Sequence, residues 1–413
     1  MPDPAEMSRN MDADKIIGSL KESGNLRILS QMDHKGKDVA SGQERMLNLS
    51  SNDYLGLASD ADFYRGFAEK LSARLKDCGN EIPEDFLFSS SSSRLLTGNF
   101  NIYREVEAEL ASLYGKEAAL VLGSGYHMNS GILPAVAEEG DIILADKLVH
   151  ASIIDGMRLC RCRNVRFRHQ DLDQLESLVE RHHGSSGTVF IVTESIFSMD
   201  GDVTDLRRLA SIRRRYPNVV LYVDEAHAAG LRGSKGLGVA EEQGCIGDID
   251  FLCGTLGKAL ASIGGFTVCS EENRLLLVNR MRPFIFTTAL PPVNMLWTLH
   301  VLRALPYMEE RRRHLERISA RLRNTLAGYG FTSTSGSQII PVTVGDSFLA
   351  GKLAAEFRHR GFCLMPVRPP TVPEGTSRLR ISLTAAITDE DMDRFISAAA
   401  EILGPVHPEG QVK

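Results

Sequence analysis

Short apolar runs alternate with helix-like segments through the middle of the chain, and this alternation constrains the fold more than any other feature. The runs are brief and often β-branched, while intervening segments such as LDQLESLVERHH carry helical spacing. The runs lie at residues 118–123, 141–146, 165–169, 188–194, 219–225, 250–255 and 265–270. Strands that alternate with helices in this way form a mostly parallel sheet covered by helices on both faces. We therefore predict an α/β fold.

The length of 413 residues predicts more than one domain, because single cores usually stop growing near about 250–300 residues. We predict an N-terminal helix and leader segment over 1–60, a large domain over 61–291, and a linking helix with a small α+β domain over 292–413. A helical pattern covers about Lys15–Met32, and the amphipathic stretch Pro292–Tyr329 predicts one connecting helix. In the C-terminal part, QIIPVTVGD and SRLRISLT are predicted strands, and LAGKLAAEFRHR and DEDMDRFISAAAEIL predicted helices.

Charge and composition exclude several classes of function. The formal net charge of −6 gives no electrostatic reason to expect nucleic acid or an anionic membrane as a partner. We expect neither a membrane span nor a secretory signal, because apolar runs are short and the N-terminus is acidic. The seven cysteines are odd in number and form no C-x-x-C pair, which favours a reducing, cytoplasmic compartment. We expect no metal at His182 and His183, and the serine run Ser89–Ser93 predicts a mobile loop.

Polar and titratable residues follow most of the predicted strands. Ligands of an open parallel sheet bind beyond the carboxyl ends of its strands, so these residues mark the expected site. They are Gly123, Ser124, Gly125, Tyr126, Asp146, His150, Glu194, Ser198, Asp224, His227, Thr255 and Lys258. So dense a set of polar groups predicts one functional site at this edge of the sheet.

Asp224 and Lys258 each allow two interpretations. Asp224 follows the apolar run VVLYV, where it would either cap a helix or hold the protonated pyridine nitrogen of pyridoxal 5'-phosphate (PLP), with His227 on the ring hydroxyl. Lys258, among the small residues of GTLGKALASIGG, is either a solvated surface lysine or an amine whose pKa falls enough for imine formation. Gly123–Tyr126 precedes a predicted helix and is either an ordinary turn or a phosphate site at a helix N-terminus.

Eight segments carry a resemblance to a known family. They are LNLSSNDYLGLA, SGYHMN, DKLVHASIIDG, TESIFSMDGD, VDEAHAAG, GTLGKA, FTTALPP and RPPTVPEGTSRLRISLTAA. With them the chain resembles the α-oxoamine synthases, which are fold-type I PLP transferases, from about Ile16 to Leu403. The resemblance implies a large domain with a mostly parallel seven-stranded sheet and a smaller α+β C-terminal domain. RPPTVPEGTSRLR is most similar to the oxononanoate-forming branch of biotin biosynthesis, rather than to the glycine-using branches.

The resemblance also implies a role for each matching residue. Lys258 would form the Schiff base with PLP and later move the proton, Asp224 would pair with the pyridine nitrogen, and His227 with the ring oxygen. His150 would stack on the ring. Phosphate and ring binding is implied for Gly125, Tyr126, Ser198 and Thr255, and for Thr288 toward the site of the partner subunit. Substrate contact is implied for Arg27, Asn52, His150, Arg368, Thr371 and Arg380.

The reaction implied for this branch joins L-alanine to a pimeloyl thioester of coenzyme A or a carrier protein, in a homodimer with shared active sites. The products are 8-amino-7-oxononanoate, carbon dioxide and free thiol. Alternatives are a glycine C-acetyltransferase, an enzyme that joins acyl-CoA to an amino acid for a lipid or a signal, an aminotransferase, and a non-enzymatic descendant. The joint presence of Lys258, Asp224, His227 and His150 speaks against the last. Two departures from the family pattern are SSSSSRLLTG, where glycines are usual, and Phe286, where some relatives have tyrosine.

Overall fold

The computed structural model describes residues 13–77, 79, 81–184 and 187–404. The leader before residue 13, Cys78 and the tail after residue 404 lie outside the described residues. The strands are β1 (Asp33–Lys35), β2 (Asp38–Ser41), β3 (Glu44–Asn48), β4 (Ala118–Leu122), β5 (Ile142–Asp146), β6 (Arg163–Phe167), β7 (Val189–Glu194), β8 (Val219–Asp224), β9 (Phe251–Thr255), β10 (Gly265–Cys269), β11 (Ile339–Gly345), β12 (Phe362–Cys363), β13 (Pro366–Val367) and β14 (Ser377–Ser382).

The α-helices complete the set of elements. They are α1 (Ala13–Glu22), α2 (Ala61–Asp77), α3 (Asn101–Tyr114), α4 (Gly125–Val136), α5 (Ala151–Leu159), α6 (Leu172–His182), α7 (Leu206–Arg215), α8 (Val239–Glu242), α9 (Glu271–Arg280), α10 (Arg282–Ile285), α11 (Pro292–Ala304), α12 (Glu309–Gly328), α13 (Ser347–His359) and α14 (Asp389–Leu403).

The central sheet confirms the predicted α/β fold. Its seven strands lie in the order β4-β10-β9-β8-β7-β5-β6, and each overlaps one of the seven apolar runs predicted to be strands. The neighbours β9, β8, β7, β5 and β6 pair in parallel, while β10 pairs antiparallel with both β9 and β4. Every residue of β4, β5, β7 and β10 is buried, as expected where helices cover both faces.

The strand order brings several carboxyl ends to one edge of the sheet. Glu194 ends β7 and pairs in register with Asp224, the last residue of β8. Asp224 in turn pairs with Cys253 of β9, two residues before Thr255. Because β4 is antiparallel to β10, which is antiparallel to β9, the end of β4 and the start of α4 lie at this same edge.

The C-terminal part forms a second layer against this edge. Strands β11, β14 and β13 make an antiparallel sheet, and β14 carries Arg378 and Arg380. The N-terminal strands β1–β3 form another sheet, which β12 extends by pairing in parallel with β3, Phe362 opposite Leu47. The chain therefore brings its N-terminal strands to its C-terminal part. The domain boundaries at residues 60 and 291 stay predictions.

Two helices differ from their predicted extents. The first ends at Glu22 rather than near Met32, because Gly24 adopts φ +69° and Asn25 N–H closes back onto the Leu20 carbonyl. The predicted connecting helix is divided into α11 and α12 by a 3-10 turn over Leu305–Tyr307. Pro306 lies in this turn and has no N–H to continue the α-helical ladder.

The serine run packs instead of forming the mobile loop that its composition predicts. The Ser90 hydroxyl is buried and donates to the Leu290 carbonyl at 2.6 Å, and Ala289 N–H donates to the Ser92 carbonyl at 2.9 Å. These bonds fix the run to the segment that precedes α11. Within the described ranges, no helix is both long and apolar enough to cross a membrane. The same residues hold no group of three or more His, Cys, Asp or Glu side chains in a metal-binding arrangement.

Candidate active site

Lys258 lies against His227 at the carboxyl edge of the sheet. Its Nζ is 2.9 Å from His227 Nε2, and the two residues follow β9 and β8 by three positions each. Burial lowers the pKa of Lys258 to about 8, although the nearby carboxylates of Asp224 and Glu194 oppose this shift. Burial also holds the pKa of His227 well below its ordinary value, and the charge of Lys258 adds to the effect. A neutral imidazole therefore faces an amine that titrates close to neutral pH.

Tyr54 completes the surroundings of His227 and is a residue that the sequence analysis did not single out. Its buried hydroxyl is 2.7 Å from His227 Nδ1 and donates to Asn52 Oδ1 at 3.0 Å. The Tyr54 oxygen therefore accepts from Nδ1–H, which leaves the Nε2 lone pair of His227 toward Lys258. Tyr54 lies inside the segment LNLSSNDYLGLA, so only its individual contact was missed.

Asp224 and Glu194 form a buried pair of carboxyl groups on neighbouring strands. Asp224 accepts from Asn129 Nδ2 at 2.7 Å and from the Ala226 N–H at 2.8 Å. The second bond is a local turn, so Asp224 does not cap a helix. Burial and the negative charge of Asp224 raise the pKa of Glu194 well above its ordinary value. Among the described residues, Glu194 Oε1 has no hydrogen-bond partner.

His150 precedes α5, and its ring is held by Ser152 in the first turn of that helix. The Nδ1 atom is 2.6 Å from Ser152 Oγ and accepts from the Ser152 N–H at 3.3 Å. Desolvation lowers the pKa of His150, against the opposing charge of Asp224. His150 is therefore a neutral imidazole whose Nε2 is the nitrogen left for a ligand.

The predicted phosphate-binding residues come partly together. Gly125 begins α4 and lies beside Thr255, the last residue of β9, because a Cβ placed on Gly125 would be only 3.6 Å from the Thr255 side chain. The start of α4 and the end of β9 are therefore adjacent. The first amides of a helix have no acceptor inside the helix and bind anions well. Tyr126 is half-exposed and donates to Asp155. Ser198 lies in the loop after β7, and its carbonyl accepts from Arg380 Nε at 2.6 Å. Thr288 is exposed, and its predicted role requires a second subunit.

The residues expected to contact substrate fall into two groups. Exposed Arg27 donates to Thr371 Oγ1 at 2.6 Å, while Arg368 donates to the carbonyls of Gly24 and Leu26. Arg368 thus holds the backbone that carries Arg27. In the second group, Arg380 donates to Ser382 Oγ at 2.6 Å and lies 3.4 Å from the Tyr54 hydroxyl that bonds Asn52.

Comparison with known proteins decides the family. A sequence profile of the aminotransferase class I and II family matches residues 44–398. The chain belongs to this family. A relative from Pasteurella multocida, provisionally named 8-amino-7-oxononanoate synthase, is 46% identical over 387 residues, which cover 94% of this chain and 97% of that protein.

Two solved structures extend the comparison. A variant of serine palmitoyltransferase from S. paucimobilis, with a bound PLP–myriocin aldimine, has a TM-score of 0.83 and 28% identity, and the match covers 94% of this chain and 97% of that one. An 8-amino-7-oxononanoate synthase from Francisella tularensis has a TM-score of 0.69 and 26% identity, and covers 87% of this chain and 97% of that one. The chain is accordingly a PLP-dependent acyltransferase of the α-oxoamine synthase family, with the fold-type I architecture.

The side chains of the candidate site fit PLP. An amine with a pKa of about 8 suits imine formation with an aldehyde, because its neutral form is well populated near neutral pH. Asp224 offers a buried carboxylate, and the start of α4 beside Thr255 offers amides for a phosphate. Glu194 Oε1, which has no hydrogen-bond partner among the described residues, adds a buried unsatisfied polar atom of the kind that often marks a functional site.

Proposed function

We propose that this enzyme joins L-alanine to a pimeloyl thioester and releases 8-amino-7-oxononanoate, carbon dioxide and the free thiol, as a step of biotin biosynthesis. The observation that carries the proposal is the 46% identity, over nearly the whole length, to a relative provisionally named for this reaction. The segment RPPTVPEGTSRLR, most similar to the oxononanoate branch, supports it. When bound, PLP supplies a ring that accepts the negative charge formed at the amino-acid Cα.

Lys258 is the residue we propose for proton transfer at that carbon. Its amine has a pKa of about 8, so it can both accept and return a proton near neutral pH. The neutral His227, 2.9 Å away, accepts a hydrogen bond from the amine and so fixes its direction. Asp224 is proposed to hold the protonated ring nitrogen, because a buried carboxylate there favours the positive charge that makes the ring an electron acceptor.

Arg380 is proposed to bind the amino-acid carboxylate. A guanidinium presents paired N–H donors that match a carboxylate. Its Nε and Nη1 already donate to the Ser198 carbonyl and Ser382 Oγ, which hold the group in one orientation. Nη2 lies 3.4 Å from the Tyr54 hydroxyl, a long contact that a substrate oxygen would replace at small cost.

Arg27 is proposed to bind the far carboxylate of the pimeloyl chain. Its guanidinium is exposed and donates a hydrogen bond to the neutral Thr371 hydroxyl. Arg368 supports this arrangement, because it binds the carbonyls of Gly24 and Leu26 on the N-terminal side of Arg27. An acetyl group has no charge that this arginine would bind.

A homodimer is part of the proposal. Large apolar side chains that cluster on the surface of a monomer are typical of interfaces. Three such side chains are Phe88 (84% exposed), Leu96 (78%) and Phe286 (72%). Each lies near the serine run or near the segment that is hydrogen-bonded to that run. Thr288 belongs to the same segment, which supports the expectation that it reaches the active site of the partner subunit. A cytoplasmic location stays a prediction.

A second candidate is an enzyme that joins an acyl-CoA to an amino acid for a lipid. The observation that favours it is the higher TM-score with serine palmitoyltransferase, 0.83 against 0.69 for the Francisella oxononanoate enzyme. Its amino acid and acyl chain would differ, while the residues around Lys258 would serve the same chemistry.

Product analysis separates the two candidates. The purified enzyme is incubated with alanine, glycine or serine and with pimeloyl, acetyl or palmitoyl thioesters, and products are identified by mass spectrometry. We expect alanine with pimeloyl thioester to give the highest kcat/KM. A preference for serine with palmitoyl-CoA, or for glycine with acetyl-CoA, would overturn the proposed reaction and leave the family unchanged. Borohydride reduction of the enzyme with PLP, followed by peptide mapping, should label Lys258.

A further inference from the structure

Asn129 connects two parts of the active site that lie on different elements. Its buried amide, on α4, donates through Nδ2 to Asp224 Oδ2 at 2.7 Å and to Ser152 Oγ at 3.0 Å. Its Oδ1 accepts the Tyr222 hydroxyl at 2.5 Å. Both N–H donors and the carbonyl oxygen are therefore in use. A flipped amide would turn Oδ1 toward the Asp224 carboxylate, so these contacts fix one orientation.

Asp224 depends on this amide for one of its two oxygens. Oδ1 accepts from the Ala226 N–H at 2.8 Å, and Oδ2 accepts from Asn129. The neighbouring Glu194 is itself an acid and supplies no positive charge. A hydrogen bond donated to an ionised carboxylate stabilises the charged form and fixes its direction. Asn129 therefore holds Oδ2 of Asp224, whereas Oδ1 is held by the backbone turn at Ala226.

The second branch runs through Ser152 to His150. Because Ser152 Oγ accepts from Asn129, its own hydrogen is left for His150 Nδ1, 2.6 Å away. The backbone N–H of Ser152 donates to the same nitrogen at 3.3 Å. Two donors therefore converge on Nδ1, and the proton of the neutral ring lies on Nε2. In that tautomer His150 presents a donor, not an acceptor, to a bound ligand.

We propose that Asn129 is a positioning residue that fixes the Asp224 carboxylate and, through Ser152, sets the Nε2–H tautomer of His150. The inference rests on the proposed function, because it is in a PLP site that both groups face one ligand. It goes beyond that function because the amide of Asn129 would connect Asp224, which is proposed to hold the ring nitrogen, with the hydrogen-bond donor of His150. Removal of Asn129 would disturb both, whereas removal of the Ser152 hydroxyl would disturb His150 alone.

The test compares Asn129→Ala and Ser152→Ala with the wild-type enzyme. A matched control is Ser130→Ala on the same helix, whose buried hydroxyl bonds the Tyr126 carbonyl. Three quantities are measured: the dissociation constant of PLP, the rate at which L-alanine exchanges its α-hydrogen in D₂O without thioester, and the ¹⁵N shifts of labelled histidine rings. The exchange reaction isolates proton transfer from acyl-group selection.

We expect Asn129→Ala to weaken PLP binding about tenfold or more and to slow exchange, since a hydrogen bond to a charged group is lost. Ser152→Ala should keep PLP binding within about twofold, slow exchange and shift the His150 Nδ1 signal. Adding Ser152→Ala to Asn129→Ala should slow exchange by no more than about twofold further, because the branch is already broken. Ser130→Ala should match the wild type in all three measurements.

Asn129→Leu guards against misfolding, since it keeps the branched shape of the side chain but has no group that can donate to Asp224. It should lose PLP affinity as Asn129→Ala does. If both Asn129 variants bind PLP and exchange alanine within twofold of wild type, the positioning role is wrong. That result leaves the proposed function intact as long as the wild type labels Lys258 and releases the oxononanoate product. A wild type that does neither refutes the proposed function instead.

Discussion

The amine of Lys258 and Nε2 of His227 lie 2.9 Å apart, with the ring nitrogen as acceptor. His227 acts as an acceptor because Tyr54, whose own proton goes to Asn52, receives the hydrogen of Nδ1. The imidazole stays neutral because burial lowers its pKa well below the ordinary value. His227, Tyr54 and Asn52, from two distant parts of the chain, thus keep the amine directed into the site without adding a second positive charge.

The pKa of Lys258 predicts how PLP binding depends on pH. With a pKa of about 8, half of the amine is neutral at pH 8, whereas an ordinary lysine would be neutral in well under about 1% of molecules. The rate at which the apoenzyme forms its imine, followed by absorbance, should rise about tenfold per pH unit below 8 and level off above it. Lys258→Ala supplies the blank. A rate that keeps rising to pH 10 would contradict the lowered pKa.

Asp224→Asn should slow removal of the α-proton of L-alanine more than it weakens PLP binding. The amide keeps the size of the side chain but no longer favours a protonated ring nitrogen. Because negative charge develops after proton removal, exchange of the α-hydrogen of L-alanine should slow by about 100-fold or more, while PLP affinity falls less. Exchange measured by NMR in D₂O decides the matter; near-normal exchange would show that Asp224 does not serve the ring.

Arg27→Ala should affect acyl substrates according to their charge. If Arg27 binds the far carboxylate, kcat/KM for pimeloyl thioester should fall about tenfold or more, since a charged hydrogen bond is lost. For an uncharged acyl thioester of equal length the change should stay within about twofold. Arg45→Ala, an exposed arginine of β3 paired with Asp38, is the matched control. Equal losses for both thioesters would mean that Arg27 is only structural.

His169 should make stability depend on alkaline pH. Its ring bridges Asp146 at 2.9 Å and Asp202 at 2.8 Å, and these carboxylates raise its pKa to about 10 despite opposing desolvation. A raised pKa stabilises the folded state fully below the unfolded value of about 6.5, and this contribution is lost as pH rises to 10. His169→Asn should therefore flatten the decline of Tm between pH 6.5 and 10.

The control for that measurement is His34→Asn, because His34 lies exposed on β1. It should leave the decline of Tm as in the wild type. If His169→Asn leaves the slope unchanged as well, the bridge does not stabilise the fold through its charge.

The central sheet could be predicted from the sequence alone, as could the segments that carry the candidate site. Apolar runs between helix-like segments predicted all seven strands, because a buried parallel strand needs continuous apolar residues whatever its neighbours are. Asp224, His227 and Lys258 could be located for a similar local reason, since each lies at or just after the end of a predicted strand. Helix ends were less predictable: Gly24 and Pro306 act through backbone geometry that apolar periodicity does not register.

Which side chains contact each other could not be predicted from the sequence, because these contacts depend on the way the whole chain folds. The bonds from Asn129 to Asp224 and from Tyr54 to His227 join residues 95 and 173 positions apart, and the bond from Arg27 to Thr371 joins residues 344 apart. No local pattern encodes such contacts, because they depend on strand order and on how the C-terminal sheet closes over the edge. The same is true of the pKa of Lys258, which burial and its neighbours set rather than the residues beside it in sequence.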